Sequence, residues 1–133
     1  MLSFRRLQLC QHKGLYFEQE VESLSVKLTT GYRTILAHHA PLIGALDYAP
    51  MHLVQEGKTT FYALHGGAIH VHKDGVTLIV NAIEREDEID LERAKRAKER
   101  AENRLKSKDD NIDLKRAQLA LYRALCRINT IDR

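Results

Sequence analysis

Tryptophan is absent from this 133-residue chain, and cysteine occurs only twice. Cys10 and Cys126 stand far apart in unlike stretches, so neither a disulfide framework nor a thiolate metal site is expected; they read as two free thiols in a reducing cytosol. No apolar run approaches the ~20 residues that a membrane-spanning helix needs. The opening Met1-Leu2-Ser3-Phe4-Arg5-Arg6 lacks the apolar stretch of a secretory signal and passes straight into alternation, which argues against a transit peptide. A glycine-rich phosphate loop with a following lysine is missing, and neither cysteine sits at an electropositive helix start. No catalytic residue is therefore expected. Charge of one sign is missing too. The formal net charge is +3; residues 1–83 carry 7 basic and 6 acidic side chains, residues 84–133 carry 14 and 12. A nucleic-acid binder would show a one-signed basic face, so nucleic acid is not an expected partner.

What is present divides in two. The first portion is written in period two: Leu7 and Leu9, then Leu24, Val26 and Leu28, then Val54, Phe61 to Leu64, Ile69 to His72 and Val76 to Val80. Turn signals fall between these runs at Lys13-Gly14, Thr30-Gly31, Glu56-Gly57, Gly66-Gly67 and Asp74-Gly75. Short strands at such spacing predict an antiparallel β-sandwich or flattened barrel. Near Asn81 to Asp87 the period becomes helical. The domains are accordingly residues 1–84, a β-sandwich, and residues 85–133, an antiparallel two-helix hairpin.

A six-residue cassette organises the hairpin. Ile89-Asp90-Leu91-Glu92-Arg93-Ala94 returns as Ile112-Asp113-Leu114-Lys115-Arg116-Ala117, with the polar break Ser107-Lys108-Asp109-Asp110-Asn111 between helices. Asp90 and Asp113 suit N-caps, because a carboxylate there accepts backbone N–H bonds and meets the helix dipole. The helices are expected over about Asp90 to Leu105 and Ile112 to Ile128. Their facing stripes, Ala94, Ala97, Ala101 and Leu105 against Ala117, Leu121, Leu125 and Ile128, are rich in alanine. Alanine buries little area, and at ~25 cal/mol per Å² the seam is weak. The hairpin should close only conditionally.

Taken together, the eighty-residue sandwich, His39-Ala40-Pro41-Leu42-Ile43, Gly66-Gly67 and the first cassette resemble the epsilon subunit of the F-type (proton-translocating) ATP synthase. The resemblance covers essentially the whole chain and is strongest through Glu84-Arg85, Ala97 to Glu102, and Lys115-Arg116-Ala117 onward. The family's usual G-x-L-G-I-L-P-G-H reads here Gly31-Tyr32-Arg33-Thr34-Ile35-Leu36-Ala37-His38-His39, and its T-P-x-G hairpin reads Gln11-His12-Lys13-Gly14. The resemblance implies a non-catalytic rotor subunit at the foot of the central stalk, on the cytoplasmic face of the bacterial membrane and peripheral to it. Its implied partners are the gamma subunit and the c-ring, with alpha and beta subunits when the hairpin extends to block ATP hydrolysis. No cofactor is required. ATP is implied as a regulatory ligand of the folded-down hairpin, held by Glu84, Ile89, Asp90, Arg93, Ala94, Arg100, Arg123 and Arg127. His38, His39, Pro41, Leu42 and Ile43 are the candidate partner contacts.

The residues also support this reading on their own terms. Arg93 and Arg100 lie two turns apart on one helix face, and Arg123 and Arg127 one turn apart on the other helix. Antiparallel pairing gathers them, and arginine forks match phosphate oxygens. The rival is that these arginines pair with Glu99, Glu102 or Asp132 on a solvated surface. Seven histidines raise a metal alternative, since His70-x-His72 is similar to cupin-type sites; those need a glutamate a few residues later, where Val76 and Thr77 stand. Surface histidines are the expectation for His65, His70 and His72, and no metal site is expected. Other readings left open are an ATP-insensitive structural rotor subunit, a free-standing adaptor with a helical docking hairpin, and a small metal-dependent enzyme.

Overall fold

The computed structural model describes residues 5–11, 14–36, 40–107 and 113–133. The elements are β1 (Arg5–Gln11), β2 (Gly14–Val21), β3 (Ser23–Leu28), β4 (Gly31–Ile35), β5 (Leu42–Gln55), β6 (Lys58–His72), β7 (Gly75–Val80), β8 (Ile83–Arg85), a 3-10 turn (Glu86–Glu88), α1 (Leu91–Lys106) and α2 (Leu114–Ile131). Strands run in the order β2-β1-β7-β6-β5-β3-β4, with β8 added to β6. The β1–β7 pairing is parallel; the other pairings are antiparallel.

Two long strands make a sandwich of this sheet, because each serves both layers. The first half of β6 pairs with β8 through Tyr62 to Leu64, and its second half pairs with β7 through Gly67 to His72. The changeover falls at Gly66 and Gly67, whose φ values are 74° and 144°. The sequence marks this pair as a turn between strands. The structure corrects that: β6 continues through it. Left-handed backbone at two glycines redirects the strand without ending it. A Cβ at Gly67 would stand 2.2 Å from the Ile79 carbonyl oxygen of β7, so only glycine fits there.

Period-two alternation fills the space between the layers. Leu24, Val26 and Leu28 of β3 are buried while their neighbours are half-buried. With Leu7, Leu9, Met51, Leu53, Tyr62, Leu64, Ile69, Val71 and Leu78 they form one core, each large side chain contributing ~1.5–3 kcal/mol. Alternation fails from Tyr62 to Gly66, where five consecutive residues are buried. Tyr62 and Leu64 point into the core; Ala63 and His65 occupy the opposite face, which α2 covers. Two-sided burial explains why this stretch carries no polar alternation.

The hairpin follows the cassette. Asp90 and Asp113 cap their helices, each carboxylate accepting an N–H at 3.1 Å, from Arg93 and Arg116. Between the helices the buried residues are small, Ala94 and Ala101 against Ala117 and Ala124, while Leu121, Leu125 and Ile128 are half-buried. Helix α2 runs past the expected Ile128 because Thr130, fully buried, donates its hydroxyl to the Cys126 carbonyl at 2.8 Å. The hairpin turn at 108–111, Ile112, and the Lys13 side of the first turn lie outside the described residues. Among the described residues no helix is long and apolar enough to cross a membrane.

Replacing Gly67 with alanine should cost about 3 kcal/mol in denaturant unfolding, from left-handed strain plus the clash with Ile79. Gly57→Ala, with the same backbone hand (φ 77°) and open space around it, should cost about 1 kcal/mol. Equal losses would refute the close-approach argument.

Candidate functional site

A short strand, the start of one helix and the end of the other enclose the site. β8 brings Glu84 opposite Ala63 of β6. The 3-10 turn then carries the chain to the Asp90 cap, so Arg93, Ala94, Ala97 and Arg100 follow on successive turns of α1. Antiparallel packing sets the last two turns of α2 beside them. The resulting cleft of about 340 Å³ is lined by Glu84, Glu88, Asp90, Arg93, Ala94, Ala97, Arg100 and Arg127. That volume lies at the low end of the ~300–1,000 Å³ typical of small-molecule sites.

Charge inside the cleft is unevenly matched. Each acidic group is already engaged. Glu84 accepts from Arg127 Nε at 2.6 Å and from His65 Nε2 at 2.8 Å. Glu88 lies 3.6 Å from Arg85, and Asp90 is used as a helix cap. Arg93 and Arg100 form no ion pair among the described residues, nor does Arg123. The cleft therefore presents two guanidinium groups without a direct ion-pair partner among the described residues, beside a third that shares its carboxylate. An anion with several oxygens complements this arrangement.

The Glu84 contacts join three elements. Partial burial alone would raise the Glu84 pKa, but the Arg127 and His65 hydrogen bonds outweigh it and hold the carboxyl below its ordinary value. Burial depresses His65, and the Arg127 charge adds to that against the pull of Glu84. His65 is thus neutral at pH 7, and its contact with Glu84 is an Nε2–H donating to a carboxylate rather than an ion pair. Both bonds fall on Oε1. Around them, Tyr48 of β5 packs against both His65 and Tyr122 of α2. The Cys126 thiol donates to the Leu64 carbonyl at 3.3 Å, and burial pushes that thiol up to about 12. At the chain end Arg133 stacks 3.5 Å over Phe61 and pairs with Glu86 at 2.7 Å.

A second groove, about 640 Å³, opens between the start of β6, Arg85 to Asp87 and Ile131. It is larger, yet its Arg85 is paired with Asp87 at 3.0 Å, so it offers less free positive charge.

The beta-sandwich family model of the ATP synthase delta/epsilon chain matches residues 5–86, and the long alpha-helix domain of the same chain matches residues 87–132. The chain belongs to the ATP synthase delta/epsilon family. It is 43% identical over 119 residues, 90% of each chain, to an ATP synthase epsilon chain of Bacillus cereus. It is 42% identical over 104 residues, 78% of each chain, to that of Pelotomaculum thermopropionicum. The same fold occurs in a solved structure of the Euglena gracilis mitochondrial ATP synthase, OSCP/F1/c-ring, with a TM-score of 0.78 and 24% identity, over 87% of this chain and 74% of that one. As a member of this family the chain is structural and regulatory rather than catalytic.

Six of the eight residues proposed from sequence line the cleft: Glu84, Asp90, Arg93, Ala94, Arg100 and Arg127. Arg123 and Ile89 do not. Arg123 sits one turn before Arg127, where its charge bears on His65. The rival pairing of these arginines with Glu99, Glu102 or Asp132 is not seen among the described residues; Arg127 takes Glu84, and Glu102 takes Lys98 at 3.7 Å. His65 was expected at the surface. The structure corrects this, since α2 leaves it only 1% exposed, while His70 is exposed. Four consecutive residues without polar alternation, ending at a histidine, were the one available sign. Of the candidate partner contacts, Pro41 is exposed, Leu42 is half-buried and Ile43 is 78% exposed; His38 and His39 lie outside the described residues.

Truncating Glu84 to alanine should loosen α2 by about 1–2 kcal/mol, the value of a partly exposed charge-assisted bond. Hydrogen exchange of the α2 amides from Arg123 to Ile131 should rise 5- to 30-fold, with the β1–β7 core unchanged. Uniform change across both domains would show that Glu84 acts on the sandwich instead.

Proposed function

We propose that this chain is the epsilon subunit of the F1 sector of a bacterial ATP synthase, a non-catalytic rotor component on the cytoplasmic face of the membrane. Its sandwich links the gamma subunit to the c-ring, with the exposed Pro41 and Ile43 on the contact surface. Its hairpin regulates ATP hydrolysis: docked on the sandwich it leaves the enzyme free, and extended toward the alpha and beta subunits it inhibits.

The single observation that carries the nucleotide reading is the pair of arginines without a direct ion-pair partner among the described residues, Arg93 and Arg100, facing Arg127 across a cleft whose carboxylates are all engaged. A triphosphate bridging α1 and α2 would give Arg93 and Arg100 direct anionic partners and tie a seam of alanines. Glu84 and Asp90 border the cleft with their present bonds on Oε1 and Oδ1, which leaves Glu84 Oε2 and Asp90 Oδ2 for the base and ribose. ATP here is a signal rather than a substrate. Binding only the docked form, it stabilises that form by RT ln(1 + [L]/Kd), about 2.7 kcal/mol at a hundredfold excess over Kd. Falling ATP then frees the hairpin.

Calorimetric titration of ATP, with and without magnesium, should give saturable one-to-one binding that Arg93→Ala or Arg127→Ala weakens tenfold or more, about 1.4 kcal/mol. Arg123→Ala, outside the cleft lining, should weaken it less. Absence of heat at millimolar ATP would leave an ATP-insensitive structural rotor subunit as the better reading.

A further inference from the structure

The face of the sandwich that α2 covers carries a feature the nucleotide cleft does not use. His65 lies behind Glu84, buried between the sheet and the helix, and its Nδ1 has no hydrogen-bond partner among the described residues. The main charged and titratable groups around it come from three elements, with Asp47 of β5 further off, where its charge bears on Cys126. β8 supplies Glu84, α2 supplies Arg123, Arg127 and the Cys126 thiol, and Tyr48 of β5 and Tyr122 of α2 close the aromatic side. Within this set one carboxylate already balances Arg127, with the Arg123 charge nearby.

We propose that His65 is a positioning residue and a proton-sensitive wedge: neutral, it holds Glu84 for Arg127 and keeps α2 on the sandwich; protonated, it drives α2 off. A proton on Nδ1 would create a buried N–H with no acceptor and a second cation on a carboxylate that already serves one. Lifting α2 exposes Nδ1 to water and separates it from both arginines. Besides the Arg127–Glu84 bond, the movement breaks the Cys126–Leu64 hydrogen bond, the Tyr48–Tyr122 ring contact and the Arg133–Phe61 stack. The sign is definite. The docked state holds the His65 pKa below its ordinary value, so docking is strongest above about pH 6.5 and weakens as pH falls from there toward the depressed value. Glu84, held below its own ordinary value, adds a second loss only below about pH 4.5, so the two groups are separable. The inference concerns docking of α2 and stands apart from whether nucleotide binds.

Cys126 provides a native probe, since its thiol is covered only while α2 is docked. In full-length protein carrying Cys10→Ser, its labelling by 4,4′-dithiodipyridine is measured without nucleotide and normalised at each pH to the unfolded chain. The normalised rate should rise as pH falls from about 7.5 to about 5.5, by no more than ~tenfold per pH unit for one proton. His65→Gln, whose amide still donates to Glu84 but cannot titrate in this range, should give a flat profile. The same slope in wild type and His65→Gln overturns the proposal. Should that variant fail to fold, the His65 ring signal in wild type decides: titration below the ordinary histidine value, together with faster exchange of α2 amides, is expected, and titration without any change in α2 overturns it. Adding ATP at about pH 7.5 is a separate arm: loss of its protection of Cys126 with the pH profile intact would count against the nucleotide cleft alone.

Discussion

One carboxylate oxygen, Oε1 of Glu84, ties the sandwich to the hairpin. It accepts from the long central strand through His65 and from the last helix through Arg127, and it sits on a three-residue strand that exists only by pairing with β6. Take that oxygen away and the remaining contacts between domains are small or peripheral: a thiol on a carbonyl, two tyrosine rings, and an arginine over a phenylalanine at the chain end. The domains are therefore joined by directional polar contacts rather than by a large apolar seam. Such contacts have defined geometry and respond to charge, which a purely hydrophobic interface does not.

This choice of chemistry also shapes the cleft. Because Arg127 spends its Nε on Glu84, the same helix turn both fastens the hairpin and lends positive charge to the space between the helices. On the proposed nucleotide reading, a ligand there would compete for part of the fastening while adding its own bridge between α1 and α2. Docking and binding would then be coupled through a shared side chain, with no need for a longer chain of contacts.

Much of the architecture was legible because local signals agreed with the global fold. Alternation in Leu24, Val26 and Leu28 named an inner face, and Asp90 and Asp113 announced helix starts that the structure uses as caps. Where legibility failed, two constraints overlapped at one position. Gly66-Gly67 is a turn signal in any local reading; only the register of β6 against both β7 and β8 shows that it bends a strand. His65 looked like a surface residue because the one local sign, a run without polar alternation, does not tell that a helix some sixty residues later will cover it. The arginines at 93, 100 and 127 could be gathered from helix periodicity alone, whereas the sideways placement of Arg123 depends on how α2 is rotated about its axis, which periodicity leaves undetermined.

The alanines between the two helices have a further consequence, for the separated state. A hairpin that must leave its domain exposes whatever its seam had buried, and a leucine seam would present a broad adhesive strip to every other protein nearby. Were the helices to part, as the proposed regulation requires, the fully buried positions wetted would be Ala94, Ala101, Ala117 and Ala124, with Leu121, Leu125 and Ile128 losing partial cover. Alanine at the tightest positions limits the surface that such an open form would offer to non-specific association.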